Sequence, residues 1–126
     1  MKPARKKVLL VDDEPIVCER LRPALEKIGF YVESYTDGQK AVDRVMEESF
    51  DVLVTDLKMQ KPDGLEVMEF VRQHSPATKV IIITGFATVD TAVETLKSGA
   101  VDFIAKPFKI RNLCDLIVKL TSEEAG

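Results

Sequence analysis

The chain has 126 residues, of which 45% are apolar, and a formal net charge of −3 at pH 7. That length suits one compact domain, and an apolar run such as 80–83 is far shorter than the roughly 20 residues that a membrane span needs. The acidic balance argues against direct binding to nucleic acid, which requires a basic surface.

The termini and the cysteines carry little functional signal. Residues 1–7 are basic but lack the apolar stretch of a signal peptide, so we expect a cytoplasmic protein. Cys18 and Cys114 are far apart in sequence and indicate two reduced thiols, with neither a disulfide framework nor a zinc site. We expect residues 1–126 to form a single domain, with a disordered tail over 1–6 and a flexible end over 121–126.

Strand and helix patterns alternate along the chain. Pro15 and Gly29 suit the first turn and the end of the first helix, while Pro23 predicts a kink within it. The continuous aliphatic runs 52–54 and 80–83 predict central strands that helices cover on both faces. In chain order the predicted elements are a strand at 7–11, a helix at 15–29, an edge strand at 30–35, a helix at 38–48, a strand at 52–54, a helix at 65–74, a strand at 80–83, a helix at 88–98, a strand at 101–105 and a helix at 110–120.

This alternation predicts an α/β fold, namely a doubly wound, five-stranded parallel sheet with helices on both faces. Five strand–helix units suit the flavodoxin-like strand order 2-1-3-4-5. In such sheets a ligand binds outside the carboxyl ends of the strands, near the switch in order between strands 1 and 3. Four predicted strands run into polar segments, which are Asp12-Asp13-Glu14, Asp56, Thr84-Gly85 and Lys106-Pro107.

The residues at these strand ends suit phosphoryl transfer. The carboxylates of Asp12, Asp13 and Asp56 would repel one another by a few kcal/mol per pair at contact distance, and a hard cation such as Mg²⁺ relieves that repulsion. Lys106 supplies a positive charge, and the Thr84 hydroxyl can donate a hydrogen bond to a phosphoryl oxygen. An aspartate can itself be the nucleophile, although the spacing does not decide which one.

Taken singly, each of these residues has a simpler interpretation. Asp12 and Asp13 could cap the first helix, because aspartate is favoured there. Thr84 could be a turn residue, Lys106 a solvated surface charge, and Phe103 a core aromatic of the fifth strand. The meeting of four strand ends favours the functional interpretation.

Four segments, in this order along the chain, resemble the hallmark segments of response-regulator receiver domains. They are Val11-Asp12-Asp13-Glu14, Thr55-Asp56-Leu57-Lys58-Met59, Ile83-Thr84-Gly85 and Ala105-Lys106-Pro107-Phe108. Residues 84–93 are also similar to receivers of transcription activators of the nitrogen-regulatory type. The resemblance spans nearly the whole chain.

The resemblance implies a phosphoacceptor and a metal site. Asp56 matches the residue that accepts the phosphoryl group in the family. Asp13 matches the direct ligand of Mg²⁺, and Asp12 matches the acid that holds the ion more through water. Asp56 and the backbone carbonyl of Lys58 complete the implied metal ligands, and Mn²⁺ can substitute for Mg²⁺.

The resemblance also implies a switch. Lys106 would bind the phosphoryl group, Thr84 would move toward that group on activation, and Phe103 matches the aromatic residue that fills the vacated space. Lys58 and Phe86 stand at variable positions that influence how water reaches the acyl phosphate. We expect these two residues to tune the lifetime of the phosphoryl group.

Three local features set expectations of their own. Gln60 stands where related receivers commonly have proline, so we expect the loop at 60–64 to differ in shape or mobility. Phe103 lacks the hydroxyl of the more frequent tyrosine, so packing alone must drive its switch. The Lys106-Pro107 peptide bond is expected to be cis, as it often is in the family.

The implied partners are a sensor histidine kinase, which supplies the phosphoryl group, and an effector domain or docking partner. The surface of the fourth helix, fifth strand and fifth helix would carry the output, with a homodimer as one form and transcription regulation as one outcome. The protein would be no enzyme beyond Mg²⁺-dependent catalysis of its own phosphorylation and dephosphorylation. Neither a membrane nor direct nucleic-acid binding is implied.

Three rival classes fit less well. A haloacid-dehalogenase-like phosphatase would have a second aspartate two residues after the first, where this chain has Lys58. A flavodoxin would offer hydroxyls and amides to a phosphate in its first loop, whereas the run 12–14 is acidic. A purely structural pseudo-receiver would have lost a site residue. The sequence leaves open whether the chain acts alone or is a piece of a longer protein.

Overall fold

Five parallel strands and five helices alternate in the computed structural model, which describes residues 5–122. The strands are β1 (Lys7–Val11), β2 (Tyr31–Tyr35), β3 (Val52–Asp56), β4 (Lys79–Thr84) and β5 (Asp102–Ala105). The helices are α1 (Pro15–Lys27), α2 (Gly38–Glu47), α3 (Gly64–His74), α4 (Val89–Lys97) and α5 (Ile110–Ser122). The sheet order is β2-β1-β3-β4-β5, so the predicted fold and strand order are confirmed.

The strand register aligns the carboxyl ends of the four strands that precede the polar segments. Val11 at the end of β1 pairs with Thr55 of β3, and Asp56 pairs with Ile83 of β4. Thr84, which ends β4, pairs with Ala105 at the end of β5. The residues that follow these strands therefore meet at one edge of the sheet.

The sheet separates two layers of the core. Leu10 of β1 and Val54 of β3 belong to a cluster that packs against α1 and α5. Their neighbours Leu9 and Leu53 belong to the cluster on the opposite face, against α2 and α3. All five residues of β3 are buried, which explains why its first three residues, 52–54, form a continuous apolar run instead of an alternating one.

Residues that favour the start or the end of a helix lie at helix ends in the structure. Pro15 begins α1, and Gly29 takes a positive φ of 106° just after this helix. Asp63 caps α3 through a reciprocal pair of bonds with Glu66. α1 continues past Pro23 to Lys27, and the kink expected there stays a prediction.

The expected tail and flexible end fall largely on residues 1–4 and 123–126, which lie outside the described residues. Thr121 and Ser122 form the end of α5. Between residues 5 and 122, no helix combines the length and the apolar character that crossing a membrane requires.

A hydrogen-bonded carboxylate fastens the edge strand β2 to α2. Glu33 of β2 accepts two bonds from the Arg44 guanidinium, at 2.7 and 2.8 Å. The hydroxyls of Tyr31 and Tyr35 donate to the same carboxylate at 2.7 and 2.8 Å. The Arg44 bonds, helped by both tyrosines and opposed by burial, lower the pKa of Glu33 to about 2.

This depressed pKa predicts a pH-dependent contribution to stability. Because the folded pKa lies below the ordinary value of 4.5, the ionised carboxylate stabilises the fold above about pH 4.5, and this stabilisation is lost as the pH falls toward 2. We expect Glu33→Gln to lower the free energy of unfolding by about 2 kcal/mol at pH 7, after allowing for solvent at the sheet edge. Urea unfolding at pH 7 and pH 3 should show the difference from wild type shrinking in acid.

The matched control is Glu47→Gln, which removes a more exposed carboxylate that lies 3.7 Å from the same guanidinium. It should change stability much less than Glu33→Gln at either pH. An equal deficit for Glu33→Gln at both pH values would show that charge on Glu33 is not what stabilises this corner.

Candidate functional site

Three aspartates meet at the carboxyl edge of the sheet. Asp12 and Asp13 directly follow β1, and Asp56 is the last residue of the neighbouring strand β3. Carboxylate oxygens of the three residues lie within 4.8 Å of one another. Asp12 and Asp56 are buried, whereas Asp13 is exposed, so the cluster has an interior wall and an open side.

Asp12 is a buried acid with one incompletely satisfied oxygen. Its Oδ1 accepts a bond of 2.9 Å from the Glu14 backbone N–H. Its Oδ2 lies 2.7 Å from Lys106 Nζ, but in a direction that does not make a hydrogen bond. Burial raises the pKa of Asp12, the charge of Asp56 adds to this, and Lys106 opposes it. The N-cap of α1 is Glu14, with no side-chain capping bond, so helix capping does not account for the acidic pair.

Lys106 brings a positive charge into the cluster from the end of β5. Its Nζ donates to Asp56 Oδ2 at 3.0 Å and to Glu14 Oε1 at 2.7 Å, in addition to the contact with Asp12. The side chain is only 13% exposed, which excludes the solvated-surface interpretation. Burial alone would lower the pKa of Lys106, but the three carboxylates outweigh it and raise the pKa, so the amine stays charged.

Thr84 closes the site on the β4 side. It is fully buried at the end of that strand, and its Oγ1 accepts a bond of 3.0 Å from the Phe86 backbone N–H. The hydroxyl thus shapes the turn after β4, as the simpler interpretation expects, while its hydrogen remains able to donate. The Phe86 ring is exposed beyond this turn.

The backbone after Asp56 also faces the site. The Lys58 N–H lies 3.3 Å from Asp56 Oδ1, which places the Lys58 main chain beside the acidic cluster, while its side chain is exposed. The following loop contains a cis Lys61-Pro62 peptide bond, which the sequence did not predict. The expected cis Lys106-Pro107 bond is confirmed.

Phe103 stands apart from the charged groups. It lies on β5, half-buried against the core cluster of α2 and α3, two residues before Ala105, which is the partner of Thr84. Its position suits both a core aromatic and a side chain that moves with Thr84.

Two residues at the site were missed by the sequence interpretation. Glu14 was treated only as part of an acidic run, yet it contacts Lys106 across 92 residues of sequence. Gly64 was treated only as part of the loop at 60–64, yet a Cβ atom there would lie 2.1 Å from the Asp56 carbonyl oxygen. The acidic run was the available signal for Glu14, and the Pro-Asp-Gly turn was the signal for Gly64.

Comparison with known proteins identifies the family. Residues 8–118 match the response regulator receiver domain. The chain belongs to the response regulator receiver family. This receiver domain is 34% identical to the response regulator protein PilR of Pseudomonas aeruginosa over 125 residues. The match covers 97% of this chain and 28% of PilR. It is 36% identical to the transcriptional regulatory protein ZraR of Klebsiella oxytoca, over 94% of this chain and 26% of ZraR.

Solved receiver domains share the fold. The receiver domain protein (CheY-like) of Methanospirillum hungatei JF-1 superposes with a TM-score of 0.89 at 30% identity, covering 98% of this chain and 100% of that one. The receiver domain of Francisella response regulator 1452 gives a TM-score of 0.89 at 28% identity, covering 95% and 99%. The chain spans about a quarter of the length of PilR and ZraR, and the name of ZraR, a transcriptional regulatory protein, agrees with the predicted similarity to receivers of transcription regulators.

Receiver domains bind Mg²⁺ at an acidic pocket, and the donors in this receiver domain fit that ion. Asp12, Asp13 and Asp56 present oxygen atoms close enough to share one cation. Among residues 5–122, no group makes a well-aligned hydrogen bond to the buried Asp12 Oδ2, as expected for an oxygen that is completed by a metal-bound ligand. A hard, oxygen-loving ion suits this set better than a soft one.

Proposed function

We propose that this receiver domain is a phosphorylation-activated switch of a two-component system, in which Asp56 accepts a phosphoryl group from a sensor histidine kinase. The observation that carries the proposal is the position of the Asp56 carboxylate. It lies at a strand end, 3.0 Å from the Lys106 ammonium and within 4.8 Å of oxygens of Asp12 and Asp13. The Asp56 carboxylate is therefore held where a phosphoryl donor can reach it and where the charge of the phosphoryl group can be neutralised.

The side chains that the transfer needs from the protein are present in this arrangement. An oxygen of the Asp56 carboxylate forms a bond to phosphorus, and the bond from phosphorus to the donor nitrogen of phosphohistidine breaks, with its electron pair leaving on the donor. Lys106 neutralises charge on the transferred group, and Thr84 can donate a hydrogen bond to one of its oxygens. Space at Gly85, where a Cβ atom would meet nothing within 4 Å, leaves room for the donor.

Asp12, Asp13, Asp56 and the backbone carbonyl of Lys58 would hold Mg²⁺, with Mn²⁺ as a substitute. When bound, the ion supplies positive charge against the oxygens of the phosphoryl group. In the ion pairs of residues 5–122 described above, one ammonium, that of Lys106, lies against Asp12 and Asp56. The protein's own residues orient the nucleophile and the phosphoryl oxygens. Beyond this transfer and the hydrolysis of the acyl phosphate by water, which releases inorganic phosphate, we propose no enzymatic activity.

The surface formed by α4, β5 and α5 would change on phosphorylation and transmit the signal to a partner. New phosphoryl oxygens draw the Thr84 hydroxyl inward, and Phe103 packs into the space released. α4 presents Val89, Val93 and Leu96 to solvent at spacings of four and three residues, so one face of this helix is apolar and exposed. An effector domain, a docking partner or a second copy of the domain would bind this face, and the name of ZraR, a transcriptional regulatory protein, favours transcription regulation as the outcome. The proposed location is the cytoplasm.

Lys58 and Phe86 are proposed to tune the lifetime of the acyl phosphate. Both side chains are exposed beside the site, where they obstruct the approach of water to phosphorus. We expect the double variant Lys58→Ala and Phe86→Ala to lose its phosphoryl group several-fold faster than wild type, measured as the decay of phosphorylated protein after donor removal. Met46→Ala, which removes an exposed apolar side chain from α2, is the control, and equal decay in all three proteins would exclude this role.

Beryllofluoride, a phosphoryl analogue, tests the proposed switch without a donor. Calorimetric titration should show saturable binding that requires Mg²⁺ and disappears in Asp56→Ala. A phosphatase of the haloacid-dehalogenase type would instead release phosphate continuously from a phosphate ester. Absence of beryllofluoride binding to the wild-type protein, or binding that is indifferent to Mg²⁺, would contradict the proposal.

A further inference from the structure

The Lys106 ammonium already has a full set of carboxylate neighbours. Three carboxylate oxygens, from Asp12, Glu14 and Asp56, lie within 3.0 Å of Nζ and occupy the space around it, although only those of Glu14 and Asp56 accept hydrogen bonds from it. A phosphoryl oxygen that binds Lys106 therefore has to displace one of them. Which carboxylate yields decides how readily Lys106 becomes available.

The three carboxylates differ in what they lose on release. The Asp12 side chain is 1% exposed, so separating it from a cation would leave a buried charge unpaired, which is costly. The Asp56 side chain, 7% exposed, is the group that carries the phosphoryl and stays beside Lys106. The Glu14 side chain is 60% exposed, so water can solvate its carboxylate as soon as the contact breaks.

We infer that Glu14 is a positioning residue, which holds Lys106 in the unphosphorylated form and competes with the phosphoryl group for it. The inference rests on the proposed function, in which Asp56 is the acceptor and Lys106 binds the transferred group. The wild-type protein gives up the Glu14 contact of 2.7 Å whenever a phosphoryl group binds Lys106. A variant without the Glu14–Lys106 contact loses no such interaction when the phosphoryl group binds, so it binds the phosphoryl group more tightly.

Local structure keeps Glu14 in place for this competition. Its backbone N–H bonds to Asp12 Oδ1 at 2.9 Å, and it is the N-cap residue of α1, directly before Pro15. Its side chain lines an open groove together with Gly85 and Lys106, on the side where we propose that the donor approaches. A released carboxylate therefore remains near the phosphoryl group and adds repulsion, which salt and solvent weaken.

The test compares Glu14→Gln with Glu19→Gln, which removes another exposed carboxylate from the same end of α1. We expect Glu14→Gln to bind beryllofluoride about two- to fivefold more tightly in the presence of Mg²⁺, the range that corresponds to an exposed ion pair. Glu19→Gln should bind like wild type. Phosphorylation by acetyl phosphate should accelerate by a similar factor in Glu14→Gln alone.

A third variant separates the contact from simple charge. Glu14→Asp keeps the negative charge but withdraws the carboxylate from Lys106 by one methylene group. If competition for Lys106 is the mechanism, Glu14→Asp should shift beryllofluoride affinity toward that of Glu14→Gln. Wild-type affinity in Glu14→Asp would overturn the inference, because repulsion by charge alone would then explain the effect.

A measurement without Mg²⁺ or a phosphoryl analogue examines the contact itself. Trace acetylation of lysines, quantified by peptide mass spectrometry, should label Lys106 several-fold faster in Glu14→Gln than in wild type. Lys109, an exposed lysine directly before α5, serves as the internal reference within each protein. Unchanged relative labelling of Lys106 would show that Glu14 does not hold the amine, and would overturn the inference.

The outcomes distinguish this inference from the proposal beneath it. If wild type binds beryllofluoride and Glu14→Gln matches Glu19→Gln, the role of Glu14 is wrong while the phosphoacceptor proposal stands. If none of the proteins binds beryllofluoride, both fail together. Far-UV circular dichroism of each variant establishes that a changed affinity belongs to a folded protein.

Discussion

Replacing Lys106 with alanine is expected to slow phosphorylation of Asp56 about 100-fold or more, the usual effect of removing one fixed donor to a charged transition state. The ammonium lies 3.0 Å from Asp56 Oδ2, and it is the one positive group in contact with the acidic cluster among the interactions of residues 5–122 described above. Without it, the carboxylates of Asp12 and Asp56 both repel an incoming donor. The rate is measured with acetyl phosphate and saturating Mg²⁺.

The matched control for this variant is Lys109→Ala, which removes an exposed lysine three residues further along the chain. The two variants have the same net charge, because each loses one lysine. It should phosphorylate at nearly the wild-type rate. If Lys106→Ala also stays within about threefold of wild type, a change of less than 1 kcal/mol, Lys106 does not act on the transferred group.

Gly64→Ala is expected to damage both the fold and the site. A Cβ atom at position 64 would lie 2.1 Å from the Asp56 carbonyl oxygen and 2.7 Å from the Leu57 Cα, and both obstacles are backbone atoms that cannot rotate away. The loop between β3 and α3 must therefore move. We expect a loss of about 1–3 kcal/mol in the free energy of unfolding, as overpacking usually costs.

The same movement should slow phosphorylation, because it shifts the main chain that carries the Asp56 carboxylate. Gly85→Ala is the stability control, since a Cβ atom there meets nothing within 4 Å, and its stability should stay within about 0.5 kcal/mol of wild type. Urea unfolding measures both variants. Equal stabilities for the two would mean that position 64 tolerates a side chain and that the close approach does not fix Asp56.

The architecture was predictable because its signals are local. The aliphatic runs at 52–54 and 80–83 are buried strands in the structure, and Pro15 and Gly29 mark the ends of α1 as predicted. Once the strands are assigned, the ends of parallel neighbours must meet at one edge, so the gathering of the acidic residues follows from topology. The resemblance supplied individual roles, which neither the spacing nor the register provides.

The contacts that depend on side-chain reach or on the path of a loop could not be predicted. Glu14 lies 92 residues from Lys106, and only the bend of the chain into α1 brings its carboxylate to the ammonium. The approach of Gly64 to Asp56 depends on the path of the loop before α3, as does the cis Lys61-Pro62 bond. The bond from the Phe86 N–H to Thr84 likewise arises from a turn whose geometry the sequence leaves open.

The proposed switch depends on a new bond between a carboxylate oxygen of Asp56 and phosphorus. Intact mass spectrometry tests the formation of this bond most directly. After incubation with acetyl phosphate and Mg²⁺, the wild-type protein should gain the mass of a single phosphoryl group, and Asp56→Ala should gain none. Omitting Mg²⁺ should strongly reduce the gain. A wild-type mass that does not change, or an equal gain in Asp56→Ala, would contradict the account.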